Sequence, residues 1–168
     1  MSWDDYLLYV NNLFNQDDGA YKKTQIAEAA GIFAQADGQK YAANEGFDLH
    51  AAPYSISIPT EDGGTQDVQC NEFAAISKCI NEGVNKGGQE CGIRVNNHKF
   101  MFLRKSNMKV GQGNYTGDAD QNIDYWIFSC GPYVKGQKQG KGGLIVAKTV
   151  SLFVLGKYDG ETLQDSNG

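Results

Sequence analysis

Long hydrophobic runs are missing from this 168-residue chain. Its longest apolar stretches fall far short of the roughly 20 residues a membrane-spanning helix needs. No basic segment leads into an apolar one at the start, where Asp4 and Asp5 stand instead, so no secretory signal is read and a cytoplasmic protein is expected. Metal-ligand patterns are missing as well. The only histidines, His50 and His98, are isolated, and Cys70, Cys79, Cys91 and Cys130 contain no C-x-x-C pair. The cysteines therefore read as free, mostly buried thiols, and neither a metal site nor a cofactor is expected. Positive charge is in deficit. A net charge of −5 argues against general nucleic-acid binding, because phosphate contacts need a basic surface.

Catalytic signatures are equally scarce. The segment from Gly136 to Lys141 (GQKQGK) is one residue short of a phosphate-binding loop and carries no Ser or Thr after the lysine, so no hydroxyl can reach magnesium. Gly111 and Gly113 are followed by Thr116 where a dinucleotide fingerprint needs its third glycine. There is no G-x-S-x-G elbow and no H-E-x-x-H pair. A binding module is expected, not an enzyme.

What the chain does have begins at residue 2. Ser2 can cap a helix, Asp5 sits three residues on to close a capping box, and Asp4 and Asp5 suit the positive helix end. Trp3, Tyr6, Leu7, Val10, Leu13 and Phe14 fall on one helical face, which predicts an amphipathic helix over 1–14. Most of that stripe reads as core; Trp3 and Tyr6 lie in its first turn, where burial is poorest, so for them both simple packing and a flat aromatic patch near the surface stay open.

Further along, Thr24 to Gln35 reads as a strand, residues 36–39 as a hairpin turn and Lys40 to Asn44 as the return strand. Residues 45–66 read as a long loop with a short strand at Tyr54–Ile58. A second amphipathic helix is predicted from Gln69 to Glu82, with Gly83 as its stop. The period then changes to two. Cys91–Val95 and His98–Arg104 flank Asn96-Asn97, a pair that tolerates the positive φ of a tight hairpin turn. Residues 105–123 read as an inserted loop, followed by strands at Tyr125–Cys130, Leu144–Lys148 and Leu152–Tyr158 and a polar tail over 159–168. Strand runs with segregated helices give a single α+β domain over 1–168 with an antiparallel sheet. Charge is uneven along it. Residues 1–67 hold eleven acids and three lysines, whereas residues 125–158 hold Lys135, Lys138, Lys141, Lys148 and Lys157 with no acid, which reads either as a solvated basic face or as a local site for an acidic partner.

These pieces resemble a known family. The opening MSW with Tyr6 one turn on, the hairpin GIFAQADGQKYAAN, the helix NEFAAISKCINEG, the hairpin GIRVNNHKFMFLRK and the closing VKGQKQGKGGLIVAKT and SLFVLGKYDG are similar, in order and spacing, to profilins. The resemblance spans roughly residues 1–44 and 68–160. It implies a central antiparallel sheet flanked by helices, and a cytoplasmic, cytoskeletal protein that binds monomeric actin and regulates its polymerisation. It also implies binding of proline-rich assembly factors and of anionic phosphoinositide lipids.

By that resemblance Trp3 and Tyr6 belong to a polyproline platform, with Tyr41 where the family usually has a second tryptophan. Rigid proline helices dock on aromatic grooves with little ordering entropy to lose. The actin-facing set maps to Lys99, Phe102 and Arg104 on a strand and Lys135 and Lys138 in the basic turn, with Phe102 as an anchor and the cations steering an acidic partner. Lys135, Lys138 and Lys141 suit a lipid head group. Profilins normally end in a long helix beside the first one, whereas ETLQDSNG shows no amphipathic repeat. An uncovered sheet face is therefore expected. That departure supports a rival reading: a profilin-fold structural subunit docked permanently in a larger cytoskeletal complex.

Overall fold

The computed structural model describes residues 2–17, 20–25, 27–109, 122–130 and 142–158, with backbone alone at 9, 11–17, 20–25, 108–109 and 130. In chain order its elements are α1 (Trp3–Asn11), β1 (Asn12–Asp17), β2 (Ala20–Gln25), β3 (Ala29–Ala34), β4 (Lys40–Ala43), β5 (Tyr54–Pro59), β6 (Thr65–Cys70), α2 (Glu72–Glu82), β7 (Ile93–Val95), β8 (His98–Lys109), β9 (Asn122–Cys130), β10 (Gly143–Lys148) and β11 (Leu152–Tyr158).

Seven strands form one antiparallel sheet in the order β4-β3-β11-β10-β9-β8-β7. Alternation sorts its side chains onto two faces. On one face Phe33, Phe153, Leu155, Leu144, Val146, Trp126, Phe128, Phe100, Ile93 and Val95 meet Ile76, Cys79 and Ile80 of α2 in the main core. Each such large apolar side chain contributes about 1.5–3 kcal/mol by leaving water. On the other face Leu7 of α1 packs with Ala30, Ile32 and Ala42. Helices thus cover both faces of the sheet, the α+β arrangement expected.

The capping box forms as its residues dictate: Asp5 N–H donates to Ser2 Oγ at 3.2 Å, and Ser2 N–H to Asp5 Oδ2 at 2.6 Å. The helix is shorter than predicted, however. It ends at Asn11, and Leu13 and Phe14 belong to β1, which pairs with β2 from Asn12↔Gln25 to Asp17↔Ala20. Two asparagines in succession are poor helix formers, and strand pairing takes over there. The predicted strand at Thr24–Gln35 is likewise two strands, with Thr24 and Gln25 closing β2 and Ala29 opening β3.

Residues 45–66 hold more order than a loop. Tyr54–Pro59 pairs with Thr65–Cys70, from Tyr54↔Cys70 to Pro59↔Thr65. The second helix accordingly starts at Glu72, three residues later than predicted. Asn71 is its N-cap, extended at φ −124° and accepting from Ala74 N–H at 2.9 Å. Gly83 ends it in the left-handed region at φ 72°, the conformation glycine adopts at least cost. The Asn96-Asn97 turn is left-handed at both residues, φ 50° and 60°, as a two-residue hairpin requires. β8 continues to Lys109, into the region read as loop; residues 110–121, the 131–141 turn and the 159–168 tail lie outside the described residues.

One buried carboxylate ties these parts together. Glu72 is fully buried, and its oxygens accept from Tyr54 Oη at 2.6 Å, His50 N–H at 3.1 Å, Asn96 N–H at 2.9 Å and Asn97 N–H at 2.6 Å. Four donors satisfy an acceptor-only group, which offsets the cost of burying it. The α2 N-terminus, the β7–β8 turn and the β5–β6 hairpin therefore converge on one side chain.

Candidate functional site

The capping box fixes the first turn of α1, and the packing of Leu7 sets α1 against β3 and β4. That placement brings Trp3 of the helix onto Tyr41 of β4. Their rings stack with centroids 4.9 Å apart and planes 27° from parallel, and Tyr6 lies 5.8 Å from Trp3. The three side chains remain 41%, 46% and 41% exposed for Trp3, Tyr6 and Tyr41. Buried core aromatics would lose nearly all of that area, so these rings form a surface. A groove of about 740 Å³ runs beside them, lined by Ser2, Trp3, Tyr6, Val10, Ile32, Leu152 and Val154. Flat rings with polar Oη and Nε1 tips above an apolar floor suit a rigid, apolar, carbonyl-rich ligand.

The cationic set divides in two. Lys99 pairs with Arg94, on the face opposite the buried Ile93 and Val95. Phe102 pairs with Phe128 at 5.6 Å between ring centroids and is half-buried against the main core. A bulge at Leu103 then shifts the register, so that Arg104 pairs with Ile127 and Lys105 with Trp126. Arg104 thereby shares the face of Lys99, while Phe102 and Lys105 point to the α2 side. Lys99 and Phe102 nevertheless line a common cavity of about 290 Å³ at the sheet edge, with Lys86 and Met101. Lys135, Lys138 and Lys141 lie outside the described residues.

Lys105, which no sequence signal singled out, and Lys148 of the basic 125–158 segment join this region. Lys105 and Lys148 line a cavity of about 680 Å³ with Asn81, Asp124 and Trp126. Lys105 Nζ is 2.7 Å from Asp124 Oδ2 and 5.0 Å above the Trp126 ring. The Lys105 ammonium, helped by Asn107, holds the Asp124 carboxyl below its ordinary range. Lys148 Nζ donates to Asn81 Oδ1 at 2.6 Å. The adjacent pair Arg104-Lys105 was a usable signal, since consecutive residues of a strand point to opposite faces.

Among the described residues several large apolar side chains remain exposed. Leu8, Met101, Leu103 and Ile145 are 50%, 45%, 56% and 39% exposed. An apolar groove of about 370 Å³ lies between α1 and the sheet, lined by residues including Val10, Ile145, Val154 and Tyr158. Among the described residues no group of three or more His, Cys, Asp or Glu side chains could hold a metal ion, and no helix is long and apolar enough to cross a membrane.

An antiparallel sheet with a helix on each face, and an exposed aromatic cluster where the first helix meets the sheet edge, define a small binding protein. The profilin family model matches residues 1–167, and the chain belongs to the profilin family, a class of non-enzymatic actin-binding proteins. Among solved structures, it is similar to profilin II of Acanthamoeba castellanii, at 17% identity over 81% of this chain and 71% of that one, with a TM-score of 0.43. It is also similar to profilin IA of the same organism, at 15% identity over 84% and 82%, with a TM-score of 0.45. Among curated proteins no match is found.

Proposed function

We infer that this chain captures monomeric actin one-to-one and presents it to proline-rich assembly factors, in the cytoplasm. The observation that carries the reading is the exposed stack of Trp3 on Tyr41 with Tyr6 beside it, on the chain of a profilin family member. Proline helices expose pyrrolidine faces and unpaired carbonyls, and such rings supply stacking area and hydrogen-bond donors at low entropic cost. Actin would meet Lys99, Phe102 and Arg104, with Lys135 and Lys138 adding charge that steers an acidic partner. The same lysines, with Lys141, would take an anionic phosphoinositide head group.

Titration of a proline-only peptide tests it. Trp126 is 5% exposed and Trp3 is 41% exposed, so a saturable change in tryptophan emission reports on Trp3. Loss of that change in Trp3→Ala and Tyr41→Ala, with the fold retained, is the expected result. Unchanged emission at saturating peptide overturns the platform.

The exposed Leu8, Met101, Leu103 and Ile145 favour a second reading, a subunit docked through its sheet face. Sedimentation separates the two: a stable monomer supports the actin regulator, and aggregation of the isolated chain supports the subunit.

A further inference from the structure

Two cysteines at the foot of the β5–β6 hairpin meet outside both surfaces. Cys70, the last residue of β6, and Cys91, two residues ahead of β7, are 0% and 1% exposed and share a small core with Val68. The side chain of Gln89 brings them together. Its Oε1 accepts from Asn71 N–H at 2.9 Å and from Cys91 Sγ at 3.3 Å, while its Nε2 donates to Asn71 O at 2.9 Å. The Cys91 thiol and the peptide nitrogen bonded to Cys70 therefore converge on one oxygen. Burial first, and then the neighbouring Cys70 thiol, pushes Cys91 up to about 12. Tyr54, whose Oη donates to Glu72 at 2.6 Å, stands opposite Cys70 in the hairpin register.

We propose that Cys70 and Cys91 are a poised dithiol, closed by two-electron oxidants into a disulfide that staples the base of the β5–β6 hairpin to the start of β7. With hydrogen peroxide the step balances. One sulfur, as thiolate, attacks a peroxide oxygen; the O–O bond breaks, leaving a sulfenic acid and, after protonation, one water. The second sulfur attacks the sulfenic sulfur, the S–S bond forms and a second water leaves. Each sulfur gives up one electron and the peroxide takes both. Burial keeps the pair inert to weak oxidants, because the thiolate is the reactive form. The staple bears on more than the hairpin. Asn85, Lys86, Glu90 and Gly92, in the segment it anchors, line the cavity beside Lys99, so closure stiffens one wall of that cavity.

Trypsin makes the test direct, since cleavage after Lys and Arg places Cys70, Cys79 and Cys91 in separate peptides, 41–78, 79–86 and 87–94. The full reduced chain is treated with hydrogen peroxide, its remaining thiols are alkylated, and the digest is weighed without reductant. The expected product is 41–78 joined to 87–94, with Cys79 alkylated. A rise in melting temperature on the order of 5–10 °C should accompany it and reverse with reductant. Cys91→Ala and Cys91→Ser should each lose both the cross-link and the rise. If a variant fails to fold, the wild-type digest still decides. Cys70 and Cys91 both recovered alkylated after peroxide treatment, or either of them joined to another cysteine, overturns the proposal.

Discussion

Trp3 and Tyr41 belong to different elements, a helix and an edge strand, yet their rings stack at 4.9 Å. Neither ring is a core residue. What places them is Leu7 against Ala30, Ile32 and Ala42 on one side and the Ser2–Asp5 capping box on the other. Trp3→Ala should therefore lower proline-peptide affinity about 30-fold, the loss typical of an aromatic hot spot, and move the melting temperature little. Tyr41→Phe keeps the stacking face and should lose far less than Tyr41→Ala. Calorimetric titration of the three variants checks the order, and equal losses for Tyr41→Phe and Tyr41→Ala would assign the role to the hydroxyl instead.

Charge reversal tests the other surface. Lys99→Glu and Lys105→Glu should each weaken binding to labelled monomeric actin about tenfold, mainly through slower association and more strongly at low salt. Phe102→Ala should behave differently. Its half-buried ring packs on Phe128, so the loss should appear as about 2–3 kcal/mol of stability in denaturant titration. Lysine variants that bind actin like the parent chain would remove this region from the interface.

Glu72 offers the largest single stability effect. Glu72→Gln places an amide donor against some of four donors, Tyr54 Oη and the backbone N–H groups of His50, Asn96 and Asn97. A loss of about 3 kcal/mol is expected, against about 1 kcal/mol for Tyr54→Phe, which removes one donor. Urea midpoints measure both, and a Glu72→Gln protein as stable as its parent would show that the amide finds alternative partners.

Two buried thiols and a partly buried phenol set an alkaline limit. Burial raises the Cys79 thiol from 9.0 to about 11; burial first, then Cys70, raises Cys91 from 9.0 to about 12; and burial first, then Glu72, raises the Tyr54 phenol above its usual 10.0. In each case the folded chain holds its proton after the unfolded chain has released one. Their contribution is thus fully present below pH 9 and declines as pH rises from 9 toward 11 and 12, each thiol by up to about 1.4 kcal/mol per pH unit. Denaturant midpoints under reducing conditions at pH 8, 9, 10 and 10.5 should fall steadily over that range; a flat profile would contradict the raised thiols.

The local signals were the legible ones. Ser2 and Asp5 announce a capping box, Asn96-Asn97 a left-handed turn, and Leu152–Tyr158 a strand whose bounds the structure reproduces. The exposure of Trp3 and Tyr6 was only half legible, because their place in a first turn left core packing and a surface patch both open. Strand β6 was hidden because, of Thr65 to Cys70, only Val68 and Cys70 are buried, so alternation never builds up. Its partner β5 was half-visible for the same reason, with a single side of moderate burial. The Glu72 cluster draws its donors from positions 50, 54, 96 and 97, and no spacing rule links those.

The bulge at Leu103 has a consequence for length variation. Ahead of it, even-numbered residues of β8, Phe100 and Phe102, face α2; after it, odd-numbered Lys105 does. Removing one residue at the bulge restores a regular ladder with both halves of the strand still facing as before. A deletion elsewhere in a regular strand inverts every side chain beyond it. β8 therefore has one place where the chain can shorten by a residue without exchanging its core for its surface.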